Sequence, residues 1–148
     1  MAAIRHAEVT WNGDLSSGAG TIDSVSSGAI SSLPVSWAAR TEAHGGKTSP
    51  EELLAAAHAA CFSMACSSGL ARAGTPPTRL SVTARVTFDK LEPGWRVVSS
   101  ALTVRGVVPG ATAESFRAAT EAAKDGCPIS QALKGNVELS VEATLETD

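Results

Sequence analysis

The stretch 49-SPEELLAAAHAACFSMACSSGLARA-73 decides the fold, and it carries Cys61 and Cys66, two of the chain's three cysteines. Ser49 is a capping residue, Pro50 fits the first helical position, and Glu52 completes a capping box. Gly74 is the stop. These signals predict a helix of about 25 residues, roughly 37 Å long, enough to cross a domain of this size. Its strongly apolar residues are only Leu53, Leu54, Phe62, Met64 and Leu70; Ala, Ser, Cys, Gly and one His fill the rest. That sum is too weak for membrane insertion. Small residues on every side instead predict a central core helix, approached closely by other backbone, with Cys61 near its middle.

Outward from this helix the chain reads as α+β. On the N-terminal side, residues 4–12 alternate, with Ala7, Val9 and Trp11 on one face, and Asn12-Gly13-Asp14 turns the chain. Short β-prone pieces at Thr21 to Val25, Ala29 to Ser31 and Val35 to Arg40 predict an antiparallel meander. A polar link, Thr41 to Thr48, follows. On the C-terminal side, Val82, Ala84, Val86 and Phe88 alternate, Glu92-Pro93-Gly94 turns, and a second strand runs from Trp95 to Gly106. Thr112 caps a second helix running through Ala123, and Cys127-Pro128 opens a short third one to about Leu133. The last strand alternates Val137, Leu139, Val141, Ala143 and Leu145 with polar residues.

At 148 residues the chain suits one domain, 1–148, able to bury a real core. A net charge of −3 argues against nucleic acid as a partner, and no polybasic helix marks a membrane face. The start, MAAIRHAEV, has no signal-peptide apolar run, so a cytoplasmic location is expected. Three cysteines in that reducing compartment point to redox or nucleophilic use, or to burial, rather than to structural disulfides. Cysteine and histidine spacing fits no metal site, and no phosphate loop calls for a cofactor.

Cys61 is the leading nucleophile candidate, set against plain packing. Five residues along a helix rotate Cys66 by about 140° and carry it beyond disulfide reach, so Cys66 is a core residue, and any redox partner of Cys61 must be Cys127. At a helix N-cap, Cys127 meets unsatisfied amides and the positive end of the dipole, which favour its thiolate; the alternative is a small residue in a cramped turn. His58 lies one helical turn before Cys61, but no Asp or Asn is placed to orient it, and its catalytic role is the weaker reading.

TSPEELLAAAHAACFSMA at 48–65, followed by GCPISQALK at 126–134, strongly resembles the osmotically inducible protein C and organic hydroperoxide resistance family, in its OsmC-like branch. WNGD at 11–14, GAGT at 18–21, Arg40 before the helix and PGATAESF at 109–116 extend the likeness over most of the chain. The resemblance implies an OsmC-like α+β fold, antiparallel sheets wrapped around long central helices, in an intertwined homodimer. It also implies a thiol peroxidase for organic hydroperoxides, with Cys61 peroxidatic, Cys127 resolving, and Arg40 and Glu51 in support. A dithiol, such as a lipoyl-bearing protein, is the implied reductant. The rival is a non-catalytic, stress-induced small-ligand-binding protein of the same fold.

Thiol physics makes the implied chemistry plausible. An ordinary thiol is about 3% ionised at neutral pH, and a guanidinium within ~4 Å contributes up to ~4 kcal/mol, more than the ~2.7 kcal/mol that a two-unit shift requires. If Glu51 and the Arg40 it holds serve Cys61, helix geometry adds a constraint. Glu51 and Cys61 are ten residues, roughly 15 Å, apart on one predicted helix, about three times a glutamate's reach. A two-fold partner with an antiparallel helix solves this, giving two sites, each with Cys61 and Cys127 of one chain and Arg40 and Glu51 of the other.

Overall fold

The structure, a computed structural model, describes residues 1–147. They form two compact units, Met1–Leu53 and the residues from Leu54 onward. In the first unit, β1 (Ala7–Asn12), β2 (Ala19–Val25) and β3 (Ser31–Val35) form an antiparallel sheet in that order, as the meander reading expects. Pro34 lies inside β3, an edge strand, where its missing N–H costs no central ladder bond. The third strand runs over Ser31–Val35 rather than Ala29 to Ser31, and the chain beyond Val35 is not the strand its residues suggested. Ser36 caps a short helix, α1 (Trp37–Thr41), by accepting from the Ala39 amide at 3.1 Å, and this one-turn helix carries Arg40. Helix α2 (Pro50–Arg72) starts at the end of this unit. Its cap is half of the expected box: Ser49 Oγ accepts from the Glu52 amide at 3.2 Å, while the Glu52 carboxylate accepts from Thr48 Oγ1. Gly74, at φ +87°, ends it in a conformation that other residues rarely adopt.

The second unit holds the rest of α2, the hairpin β4 (Arg79–Leu91) and β5 (Gly94–Val107), helices α3 (Ala113–Gly126) and α4 (Pro128–Leu133), and β6 (Glu138–Glu146). The sheet order is β4-β5-β6, and β5 pairs with β6 in parallel, so the all-antiparallel expectation is corrected. The reason is connective: α3 and α4 supply the long crossover that a parallel pair needs, and they return the chain to the same end of the sheet. The core gathers Phe62, Cys66 and Leu70 of α2, Leu102 and Val104 of β5, Val108 just after β5, Phe116 and Ala123 of α3, and Cys127. Gly106 lets α3 sit close on β5, since a Cβ there would stand 2.5 Å from Phe116 Cζ.

Two further expectations change. Helix α2 is not buried all round within the chain. It buries one stripe, His58, Phe62, Cys66 and Leu70, spaced four residues apart, whereas Ala56, Ala60, Met64 and Ser68 on the other side are exposed, Met64 by 72%. By length and composition α2 is the one helix among the described residues that passes for a membrane span, but its packed stripe makes it part of a folded core. Strand β1 alternates as read, yet all of it is exposed, with Val9 at 56% and Trp11 at 41%.

Candidate active site

Cys61 and Cys127 come together. Cys127 ends α3, its amide donating to Ala123 O at 2.9 Å, and at the same time begins α4, extended at φ −60°, ψ 128° as a residue before proline must be. This kink between two helices turns the fully buried Cys127 side chain to the half-buried Cys61 on α2, which packs against the core cluster that holds Cys127, and each thiol acts on the other's protonation. Pro128 stands in the first turn of α4, whose leading amides have no intrahelical acceptors, and the Cys127 side chain makes no capping hydrogen bond to them.

The electrostatics of the pair are uneven. Burial pushes the Cys61 thiol up, the Cys127 side chain pushes it further, and the Ile129 amide opposes only in part. Cys127 also pays a desolvation penalty, but the polar groups around it, Cys61, the Ser130 amide, the Ser130 hydroxyl and the Ile129 amide, outweigh it and draw its pKa down. The surroundings of Cys61 thus favour its protonated form, and those of Cys127 favour its thiolate. Cys66 is buried in the core with its pKa pushed up to about 11 by desolvation, which suits the packing role read for it.

In the first unit, Arg40 and Glu51 come together. Arg40 Nε donates to Glu51 Oε1 and Oε2 at 3.0 and 3.1 Å, and Nη2 donates to Oε1 at 2.7 Å, a bidentate fork in which Glu51 is almost fully buried. The guanidinium also lies 5.9 Å from the centre of the Trp37 ring, one helical turn earlier on α1. Glu51 in the first turn of α2 and Arg40 in the last turn of α1 each suit the local helix dipole.

His58 does not pair with Cys61. Its Nδ1 is 2.6 Å from Ser100 Oγ on β5, and its Nε2 is 2.8 Å from Ser130 Oγ on α4. Sequence reasoning missed both serines. Ser130 had a signal, three residues past an N-cap cysteine, whereas nothing in the pattern of β5 marks Ser100. Among the described residues, no cluster of His, Cys, Asp or Glu could hold a metal ion.

This fold and its paired thiols define a class. Residues 43–142 match the OsmC-like protein family, and the chain belongs to it. Glu51, Cys61 and Cys127 fall inside the matched span, and Arg40 just before it. Among its relatives, peroxiredoxin OsmC of Escherichia coli K12 is 41% identical over 142 residues, 96% of this chain and 98% of that one. The organic hydroperoxide resistance protein OhrA of Bacillus subtilis is 34% identical over 97 residues, 64% of this chain and 66% of that one. The crystal structure of OhrB from Bacillus subtilis superposes with a TM-score of 0.73 at 25% identity, covering 94% of this chain and 98% of that one.

Proposed function

We propose that the protein is a thiol peroxidase that reduces organic hydroperoxides, with Cys61 as the peroxidatic and Cys127 as the resolving cysteine. The observation that carries the reading is the proximity of these two thiols: Cys61 packs against the core cluster that holds Cys127, and each acts on the other's protonation, so a disulfide can follow oxidation. The names borne by its relatives, peroxiredoxin OsmC and organic hydroperoxide resistance protein, support the same chemistry.

In the first step the Cys61 thiolate attacks the terminal, hydrogen-bearing oxygen of ROOH. An S–O bond forms, the O–O bond breaks, and RO⁻ leaves to take a proton as ROH. The Cys127 thiolate then attacks the Cys61 sulfur, the S–O bond breaks, and hydroxide leaves as water once protonated. A dithiol reduces the resulting disulfide by two exchanges and is itself oxidised to a disulfide. Hydroperoxide and dithiol are consumed one for one.

Cys61 needs a cation, because its own surroundings raise its pKa. We assign that cation to Arg40, held in place by Glu51, and we place it in the site from a second copy of the chain, a reading supported by the spacing of Glu51 and Cys61 on α2. The exposed Ala56, Ala60 and Met64 face of α2 and the uncovered β1, with Val9 and Trp11, supply apolar surface for such a homodimer. The same guanidinium would stabilise the departing alkoxide. We read residues 1–148 as one OsmC-like domain, supported by near end-to-end coverage of the solved relative. Three unpaired thiols suit the reducing cytoplasm, and a lipoyl-type dithiol is our candidate reductant.

Consumption of cumene hydroperoxide, followed with and without a dithiol, tests the reading against a non-catalytic ligand-binding role. Cys61→Ser is expected to abolish consumption. Cys127→Ser should still undergo the first oxidation but stall as a dimedone-reactive sulfenic acid. Full turnover by Cys61→Ser, or none by wild type, rejects it.

A further inference from the structure

Glu51 holds Arg40 by its edge. The fork takes Nε and Nη2, and one carboxylate oxygen, Oε1, accepts from both, at 3.0 and 2.7 Å. Such bonds lie near the plane of the guanidinium and resist sliding within it, but they do little to oppose tilting about the bonded edge. A guanidinium has faces as well as edges, and a face of Arg40 is met by a different residue. Its Cζ lies over the Trp37 ring, 5.9 Å from the ring centre.

Local sequence explains how the two meet. Residues three apart on a helix are neighbours on one face, and helical side chains lean toward the N-terminus, so Arg40 leans back toward Trp37 at the start of α1. A helix this short would not hold that geometry alone. It is pinned instead. Ser36 Oγ accepts from the Ala39 amide at 3.1 Å, Thr41 Oγ1 donates to Trp37 O at 3.0 Å, and the Glu42 amide donates to Ala38 O at 2.7 Å. Ala39 is buried and Trp37 half-buried, which fixes the helix and the ring that it carries. The residue types also suit the contact: indole is the best aromatic partner for a cation, and a guanidinium, planar and weakly hydrated, stacks on a ring where an ammonium stays in water.

We propose that Trp37 is a positioning residue for Arg40: its ring supports a face of the guanidinium while Glu51 grips the edge, and the two together hold the cation at one angle toward the Cys61 thiolate and the departing alkoxide. The inference rests on the reading of Arg40 as the cation of the Cys61 site. Trp37 acts through Arg40 and exchanges neither proton nor electron.

The rate of Cys61 oxidation by cumene hydroperoxide, followed by stopped flow across pH, tests the role. Trp37→Leu keeps apolar bulk and loses the ring face; it is expected to slow the reaction about threefold at neutral pH and to move the midpoint of the profile up by about half a unit. Trp37→Phe should restore most of both. In an Arg40→Ala background the Trp37→Leu change should cost nothing further, because its effect runs through the guanidinium. A ring that merely fills space beside α1 would instead lower the melting temperature and slow both backgrounds alike, and that result overturns the proposal. A second readout needs no peroxide. Exchange of the Arg40 Nε–H with solvent, measured by NMR, should be faster in Trp37→Leu than in wild type or Trp37→Phe; equal rates in all three overturn the proposal. Should Trp37→Leu fail to fold, Trp37→Met, also apolar and without a ring, takes its place. If exchange responds as expected while Arg40→Ala oxidises at the wild-type rate, the positioning is sustained and the reading of Arg40 as the cation of the site is rejected.

Discussion

Cys61 is held by its own surroundings as a poor nucleophile, because burial and the neighbouring thiol both favour its protonated form. If Arg40 reverses this, Arg40→Ala should return the sulfur to its raised pKa. The rate of Cys61 oxidation in that variant is then expected to be low at neutral pH and to climb about tenfold per pH unit, while wild type stays nearly flat; parallel stopped-flow profiles would contradict the assignment. Cys66→Ser should leave the rate near wild type, since a thiol pushed up to about 11 in the core carries almost no thiolate at neutral pH. His58 predicts a stability effect. Its folded pKa lies below its ordinary 6.5, so the unfolded chain binds the proton first, and stability present above pH 6.5 is lost as the pH falls through and below that value. The urea midpoint is expected to drop there in wild type and to flatten in His58→Gln. The placement of Cys61 on the long helix and of Cys127 at a helix N-cap was legible in the sequence, because caps and helix spacing carry physical meaning on their own; the redox roles proposed for them came from the family resemblance. The serines that engage His58 were not, because one of them, Ser100, comes from a strand whose register only the folded sheet fixes.

Among the elements, α2, α3, α4 and β6 were readable from caps and periodicity. Thr112 caps α3 with the reciprocal Ser115 bond, and β6 alternates as its residues do. Helix α1 was not readable, since one turn has too few residues to show a period, and its signal was only Ser36 three residues before Ala39. The parallel β5–β6 pairing was also hidden, because alternation states which face a residue takes and says nothing of strand direction. Packing between elements makes its own prediction. Gly106→Ala would press a methyl against Phe116 and force α3 off β5, at an expected cost of about 1–3 kcal/mol in chemical denaturation; an unchanged midpoint would mean the ring has room to move.

For the whole molecule, the exposed stripe of α2 explains a misreading. Small residues on every side of a helix predicted burial all round, and the described chain covers one side only. A second copy is the proposed cover, and the site shared between copies has a direct consequence. Cys61→Ser and Arg40→Ala chains, each inactive alone, should form heterodimers with about half of wild-type activity, because one of the two sites is intact. Purified heterodimers that stay inactive would rule out the shared site. Beneath this lies the claim that one hydroperoxide oxidises Cys61 and that Cys127 resolves it. The most direct measurement is mass spectrometric mapping of the wild-type protein after one equivalent of cumene hydroperoxide. The account predicts a Cys61–Cys127 disulfide within the same chain, with Cys66 free. Unmodified thiols, or a disulfide that includes Cys66, would contradict it.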